Sequence, residues 1–386
     1  MKTKLKPYNV AVSLMVLIFI LAMVLLFLII PDRTFSENEN RTLAGAPGLS
    51  LKALSSGSFA DDFDTYLADQ FPGRDLFVRL KTASDRVMGK DEIGGVYAAA
   101  DGRLIEDVNV PSEEAMTRLG DGLTALRAAF PDLNYYFLLA PTAATVHRDL
   151  LPLNAPCADE SAYMDRYFSL AESAGFTPVD VRETLTAHSD DYLYYRTDHH
   201  WTTESAYLSY RVFAEAAGFD PDAAAYEPMP ISDTFNGTLA STSGLEGNVH
   251  DVITAYFPAD ESLPAANCIV EYVSEKQRAT SFYDAERLST KDQYAVFFGG
   301  NHSLVRILST SSSERRLLVI KDSYANCFLP FLAQHYRRID VVDPRYFYDD
   351  LATLITVDEP QDVLFLYNAN TLFADTALAG LLGEIG

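Results

Sequence analysis

Residues 10–30 carry no charged side chain and a single polar one, Ser13, between Lys2, Lys4 and Lys6 on one side and Pro31-Asp32-Arg33 on the other. No other feature constrains the fold as strongly. As a helix rising about 1.5 Å per residue, this run covers about 30 Å, the thickness of a bilayer's hydrocarbon core. A cleavable signal sequence has a shorter apolar centre, about 7 to 15 residues, with a small-residue cut site close behind. The length therefore predicts an uncleaved transmembrane anchor over residues 10–30. The basic flank stays inside, which makes residues 1–9 a cytoplasmic tail and puts everything after Arg33 outside the cell membrane.

The remainder must fold on its own core. The chain is 48% hydrophobic, enough for one large α/β domain with an insertion. Cys157, Cys268 and Cys327 are too few for a disulfide framework at this length, although one bridge stays open. Thirty basic against 54 acidic residues give a net charge of −24, spread along the chain without a basic block. That excludes nucleic acid as a partner, and a polyanionic substrate would need locally placed cations.

Residues 31–110 read as a juxtamembrane region expected to pack on the catalytic domain. Phe59, Phe63, Tyr66 and Leu67 recur at helical spacing, and residues 76–87 repeat the pattern. A short strand is expected at residues 96–99. From 111 to 386 the rhythm is that of a parallel α/β sheet. Strands are expected at 135–140, 176–181, 317–320, 339–342 and 363–367, with helices at 161–174 and from 203 onward. The second helix has an apolar face of Ala206, Tyr210, Phe213 and Ala217 and a capping Gly218. Residues 220–312 break the alternation and read as a strand-rich insertion.

The densest chemistry lies in Thr197-Asp198-His199-His200-Trp201-Thr202, which gathers a carboxylate, two of only seven histidines and the one tryptophan at a helix N-terminus. An Asp-x-His spacing supplies an imidazole for proton transfer and a carboxylate that fixes its tautomer. Either histidine serves that role, depending on how the loop turns. A hydroxyl partner is offered by Ser323, where the apolar strand 317–320 stops at Lys321-Asp322-Ser323. On spacing alone Asp322 or Ser323 is equally a helix cap. Trp201 reads as a wall under the histidine loop, with substrate contact second. Asn368 and Asn370 read as turn formers or cleft residues, and Arg196, Lys321 and His302 as surface or binding groups.

These residues carry a resemblance. With Tyr294-Ala295-Val296-Phe297-Phe298-Gly299-Gly300-Asn301-His302, residues 319–328, Phe365-Leu366-Tyr367-Asn368-Ala369-Asn370-Thr371 and Asp69-Gln70-Phe71-Pro72-Gly73-Arg74, the chain resembles the DHHW family. That family is similar to the alginate O-acetyltransferase proteins of the SGNH-hydrolase-like superfamily. The resemblance implies an SGNH-hydrolase-like, flavodoxin-like parallel sheet flanked by helices. It makes Ser323 the nucleophile, His200 the general base and Asp198 its orienting carboxylate. Lys321 stands where ordinary SGNH esterases have glycine. Oxyanion or substrate contacts are expected from Ser323 or Tyr324, Asn301, Trp201, His199 and Asn368. The implied activity is extracytoplasmic O-acetylation of a cell-surface or secreted polysaccharide, without a bound cofactor. The acetyl donor comes from a membrane-bound O-acyltransferase partner. A carbohydrate O-acetylesterase and a non-catalytic anchored scaffold are the alternatives. Asp-His-His could also serve a metal, as in DHH phosphoesterases, but their further aspartate motifs are missing and no metal site is expected.

Overall fold

The computed structural model describes residues 7–36, 41–245 and 249–385. The three lysines behind the expected orientation lie outside them. The chain divides into two compact units, Met1–Lys90 and Asp91–Gly386, so residues 91–110 belong with the second.

The first unit starts with helix Pro7–Ile29, the one helix among the described residues long and apolar enough to cross a membrane. None of its side chains is buried, and most are exposed. A two-stranded turn follows, β1 (Phe35–Ser36) with β2 (Arg41–Thr42). The helices Ser58–Asp69 and Arg74–Val87 then appear where the apolar spacing predicts. They close back on the end of the first helix. Phe27 meets Tyr66 edge to face at 5.5 Å, and the Tyr66 hydroxyl donates to Asp32 at 3.1 Å. The Gln70 amide bridges the Arg33 N–H and C=O, both at 2.9 Å.

The second unit is built on one sheet. Its strands are β3 (Val96–Ala98), β4 (Leu104–Glu106), β5 (Asn134–Ala140), β6 (Thr177–Asp180), β7 (Tyr226–Phe235), β8 (Asp251–Pro258), β9 (Cys268–Tyr272), β10 (Gln277–Ala279), β11 (Leu304–Ser309), β12 (Arg316–Lys321), β13 (Arg338–Val342) and β14 (Asp362–Asn368). Eight of them form the order β10-β9-β11-β13-β12-β14-β5-β6. The five from β13 to β6 run parallel, and β11, β9 and β10 extend that edge antiparallel. The insertion is therefore strand-rich as read, but its second half completes the main sheet.

The central parallel strands carry near-continuous apolar runs, 135–140 of β5, 317–320 of β12 and 363–367 of β14, because both faces are covered. Leu317 and Val319 of β12, with Leu364 and Leu366 of β14, pack against the side carrying helix Thr203–Ala216. Leu318, Ile320, Val363 and Phe365 face the side of helices Glu113–Ala129 and Glu160–Ser173. All three cysteines are buried and free, so the bridge left open by the sequence does not form and the two apolar layers hold the unit. β12 sits between β13 and β14, where the strand order turns back. In an open α/β sheet, the crevice at the carboxyl end of such a strand is where ligands bind, and Ser323 follows that end.

Candidate active site

The end of β12 is fixed by Asp322. Its Oδ1 accepts the Tyr324 amide at 2.9 Å and its Oδ2 accepts the Asn368 amide of β14 at 2.9 Å. Burial pushes this carboxyl up, while Arg345 and the two amides oppose the shift. Asp322 is thus the cap, starting the tight helical turn Ser323–Cys327, which leaves the Ser323 hydroxyl for another partner. That partner is His200, whose Nε2 lies 2.8 Å from Ser323 Oγ across 123 residues of sequence.

The histidine loop is held from beneath. Asp198 Oδ1 accepts from the His200 backbone at 3.0 Å and meets Nδ1 of its ring at 2.6 Å. Asp198 Oδ2 accepts the Thr238 amide at 2.7 Å and the Thr238 hydroxyl at 2.9 Å. Burial alone would raise Asp198, but His199, His200 and the Thr238 amide outweigh it and hold the carboxyl well below its usual range. His200 moves the opposite way. Burial and the adjoining His199 push it down to about 4 against the pull of Asp198. The ring is therefore neutral at pH 7, with Nδ1–H directed at Asp198 and Nε2 available as an acceptor for the Ser323 hydroxyl.

Several residues of this support carried no individual signal. Asp251, at the start of β8, takes four donors: the Tyr192 hydroxyl at 2.5 Å, the Arg196 amide at 2.7 Å, and the Thr197 amide and hydroxyl at 2.8 and 2.5 Å. Gly237 passes so close to Asp198 that a Cβ there would lie 2.2 Å from the Asp198 Cβ, so only glycine fits. In the sequence, Asn236-Gly237-Thr238 is one more short polar segment of the insertion 220–312. Tyr294 lies flat on His200, centroids 3.7 Å apart and 15° between planes, and its hydroxyl donates to the Ser323 carbonyl at 3.2 Å. Its signal was its position at the head of the segment 294–302.

The other expected residues divide. Trp201 is fully buried, donates Nε1–H to the Tyr324 carbonyl at 2.9 Å and stacks on Phe328; it is the wall under the loop. The Tyr324 amide is engaged by Asp322 and its hydroxyl by the His199 carbonyl, whereas the Ser323 amide has no acceptor among the described residues. Asn301 Oδ1 accepts from Lys321 Nζ at 2.9 Å and from Asn326 at 3.2 Å, so Asn301 stands on the rim of the β12 end. Asn368 is buried and caps the helix Ala369–Ala374 through Thr371, which removes its side chain from the cleft. Lys321 is not a surface group: it is buried and paired with Asp343 at 3.1 Å. Burial pushes its pKa down, against Asp343. His302 is fixed between Glu275 and the Phe298 carbonyl.

Asp198, His199 and His200 each bring one potential metal ligand within 4.8 Å of the others. Both Asp198 oxygens and both His200 nitrogens already have the partners named above. His199 Nδ1 sits 2.6 Å from the Thr238 hydroxyl, which leaves His199 Nε2 as the one ring nitrogen of the pair without a partner among the described residues. The donor set is one of hydrogen bonds, and a cation would have to displace them.

Residues 136–342 match the family described as DHHW protein. The chain belongs to the DHHW protein family. Among solved structures, a DHHW family protein from Eubacterium siraeum is similar at 22% identity and TM-score 0.61, over 76% of this chain and 96% of that one. Bacillus cereus PatB1 bearing a sulfonyl adduct is similar at 20% identity and TM-score 0.59, over 73% and 97%. The O-acetyltransferase domain of Pseudomonas putida AlgJ aligns at 16% identity and TM-score 0.46, over 75% and 99%. No curated protein sequence matches the chain. The DHHW tetrad, Asp198 to Trp201, is thus the element that turns one carboxylate and one imidazole toward Ser323 and buries the indole beneath them.

Proposed function

We propose that this DHHW protein is an extracytoplasmic O-acetyltransferase acting on hydroxyls of a cell-surface or secreted polysaccharide through an acetyl-Ser323 intermediate. The observation that carries the reading is the unbroken run from Asp198 Oδ1 to His200 Nδ1 at 2.6 Å and from His200 Nε2 to Ser323 Oγ at 2.8 Å. Ser323 Oγ attacks the acetyl carbonyl carbon as its proton passes to His200 Nε2. The bond from that carbon to the donor's leaving oxygen then breaks, and His200 returns the proton to that oxygen. An acceptor hydroxyl repeats the sequence in reverse, giving up its proton to Nε2 while its oxygen takes the acetyl group from Ser323. Asp198 stays ionised and stabilises the imidazolium. The Ser323 amide is the proposed oxyanion donor, with Asn301 as the second candidate.

The anchor belongs to the same reading. Phe27, Asp32 and Arg33 are packed and hydrogen-bonded into the helices that follow, contacts that a cleaved leader would forfeit. The N-terminal helix is then retained, the catalytic unit lies outside, and a membrane-bound O-acyltransferase supplies the acetyl group. The test is transfer itself. Full-length protein given an activated acetyl ester and a polysaccharide should form acetylated polymer, and Ser323→Ala should form none. Acetate release without polymer acetylation would make the protein an esterase. Unchanged transfer by Ser323→Ala would remove the nucleophile.

A further inference from the structure

Beside His199 the surface opens into a depression of about 300 Å³ lined by Glu106, Asn109, His199, Asn370, Thr371 and Asp375. That is enough room for a sugar ring rather than a large ligand. Its polar groups are of two kinds. Asn109 and Asn370 hold each other, through Asn109 N to Asn370 Oδ1 at 2.5 Å and Asn109 Nδ2 to the Asn370 carbonyl at 3.1 Å. Asp375 caps the last helix through the amides of Ala377 and Leu378. Glu106, His199 Nε2 and the Thr371 hydroxyl have no partner among the described residues. Two carboxylates line the depression and no lysine or arginine does. The cations on the other flank of Ser323, Lys321 and Arg345, are both bound to Asp343. A sugar carboxylate entering here would face Glu106 and Asp375 with no lysine or arginine among the lining residues, and like charges brought together are destabilising.

Resting on the acyl-transfer reading, we propose that this depression is the acceptor subsite and that it takes a sugar residue presenting hydroxyl or ammonium donors and no carboxylate. Glu106 accepts a hydrogen bond from a donor on that sugar, and His199 and Thr371 bind its other hydroxyls. The subsite therefore selects against polyuronates. Glu106 ends β4, and the His199 ring lies 3.9 Å from the ring of His200, so a sugar held here sits next to the imidazole that must take its proton.

Binding is measured by calorimetry on the full-length Ser323→Ala protein in detergent, with cellotetraose, the tetramer of glucosamine and tetragalacturonate as probes. The neutral or the amino-bearing tetramer should bind at least about tenfold more tightly than tetragalacturonate. Glu106→Gln should weaken that binding roughly tenfold, the worth of a charge-assisted hydrogen bond, and Glu106→Lys should shift preference toward the uronate. Tighter binding of tetragalacturonate, no binding of either other tetramer, or indifference to both Glu106 substitutions would overturn the proposal. Acylation of wild-type Ser323 by an activated ester is followed separately. Normal acylation with the wrong binding preference removes this inference alone, whereas absent acylation removes the acyl-transfer reading beneath it.

Discussion

Asp198 does two jobs with one side chain: Oδ1 orients the His200 ring and Oδ2 anchors the Thr238 turn. Asp198→Asn keeps the volume but turns an N–H toward one set of these donors. Its kcat/KM for an activated acetyl ester should fall on the order of 10⁴-fold, with a circular dichroism spectrum like that of the wild type. The ring itself sets the pH response. Because burial pushes His200 down to about 4, the acid limb of kcat/KM should lie well below the ordinary histidine value of about 6.5. A profile taken from pH 8 to pH 4 on the wild type reads that midpoint directly; a midpoint at or above 6.5 would contradict the described burial. At this scale the sequence was legible. Type and spacing marked the Asp-x-His loop at Asp198 and the serine ending a buried strand, Ser323, while the choice of His200 over His199 and of Ser323 as nucleophile rested on the family resemblance. Spacing alone could not separate the cap from the hydroxyl, because Asp322 and Ser323 are both capping residues; Asp322 caps, and Ser323 reaches His200.

Among the elements, the segment 220–312 was the least legible. Its short strands pair partly among themselves, β7 with β8 and β9 with β10, and partly with the distant β13 through β11, and pairing carries no local signature. β11 finds its place antiparallel beside β13 and β9 antiparallel beside β11, and β8 delivers Asp251 to the underside of the histidine loop. The central parallel strands were found because burial on both faces gives them near-continuous apolar runs. Asp251→Ala would leave the Arg196 and Thr197 amides and two hydroxyls without their acceptor. It should cost about 3 kcal/mol of stability and lower ester turnover as well. Urea unfolding of the wild-type and variant proteins measures the first effect. A loss below about 0.5 kcal/mol would mean that the loop holds itself in place.

For the whole molecule, the buried histidines set the response to acid. His147, His200 and His335 are each pushed down to about 4 by burial. Between about pH 4 and 6.5 the unfolded chain therefore binds protons that the folded chain refuses. Their contribution is present above the unfolded value and lost as pH falls. Glu160, pushed up to about 7 by burial, works in the opposite sense between about 4.5 and 7, and Asp322 and Asp340, also raised by burial, oppose the histidines at the acid end. Thermal unfolding should therefore move to lower temperature from pH 7 to pH 5, and a Tm that rises over that interval would refute the assignment. The central claim, that a distant serine and the DHHW loop form one acyl-transfer site, has a more direct test in peptide mass spectrometry after treatment with a serine-reactive sulfonyl fluoride. A single sulfonyl adduct is expected on Ser323, sharply slowed in His200→Ala. An unmodified Ser323, or labelling indifferent to loss of His200, would contradict that claim.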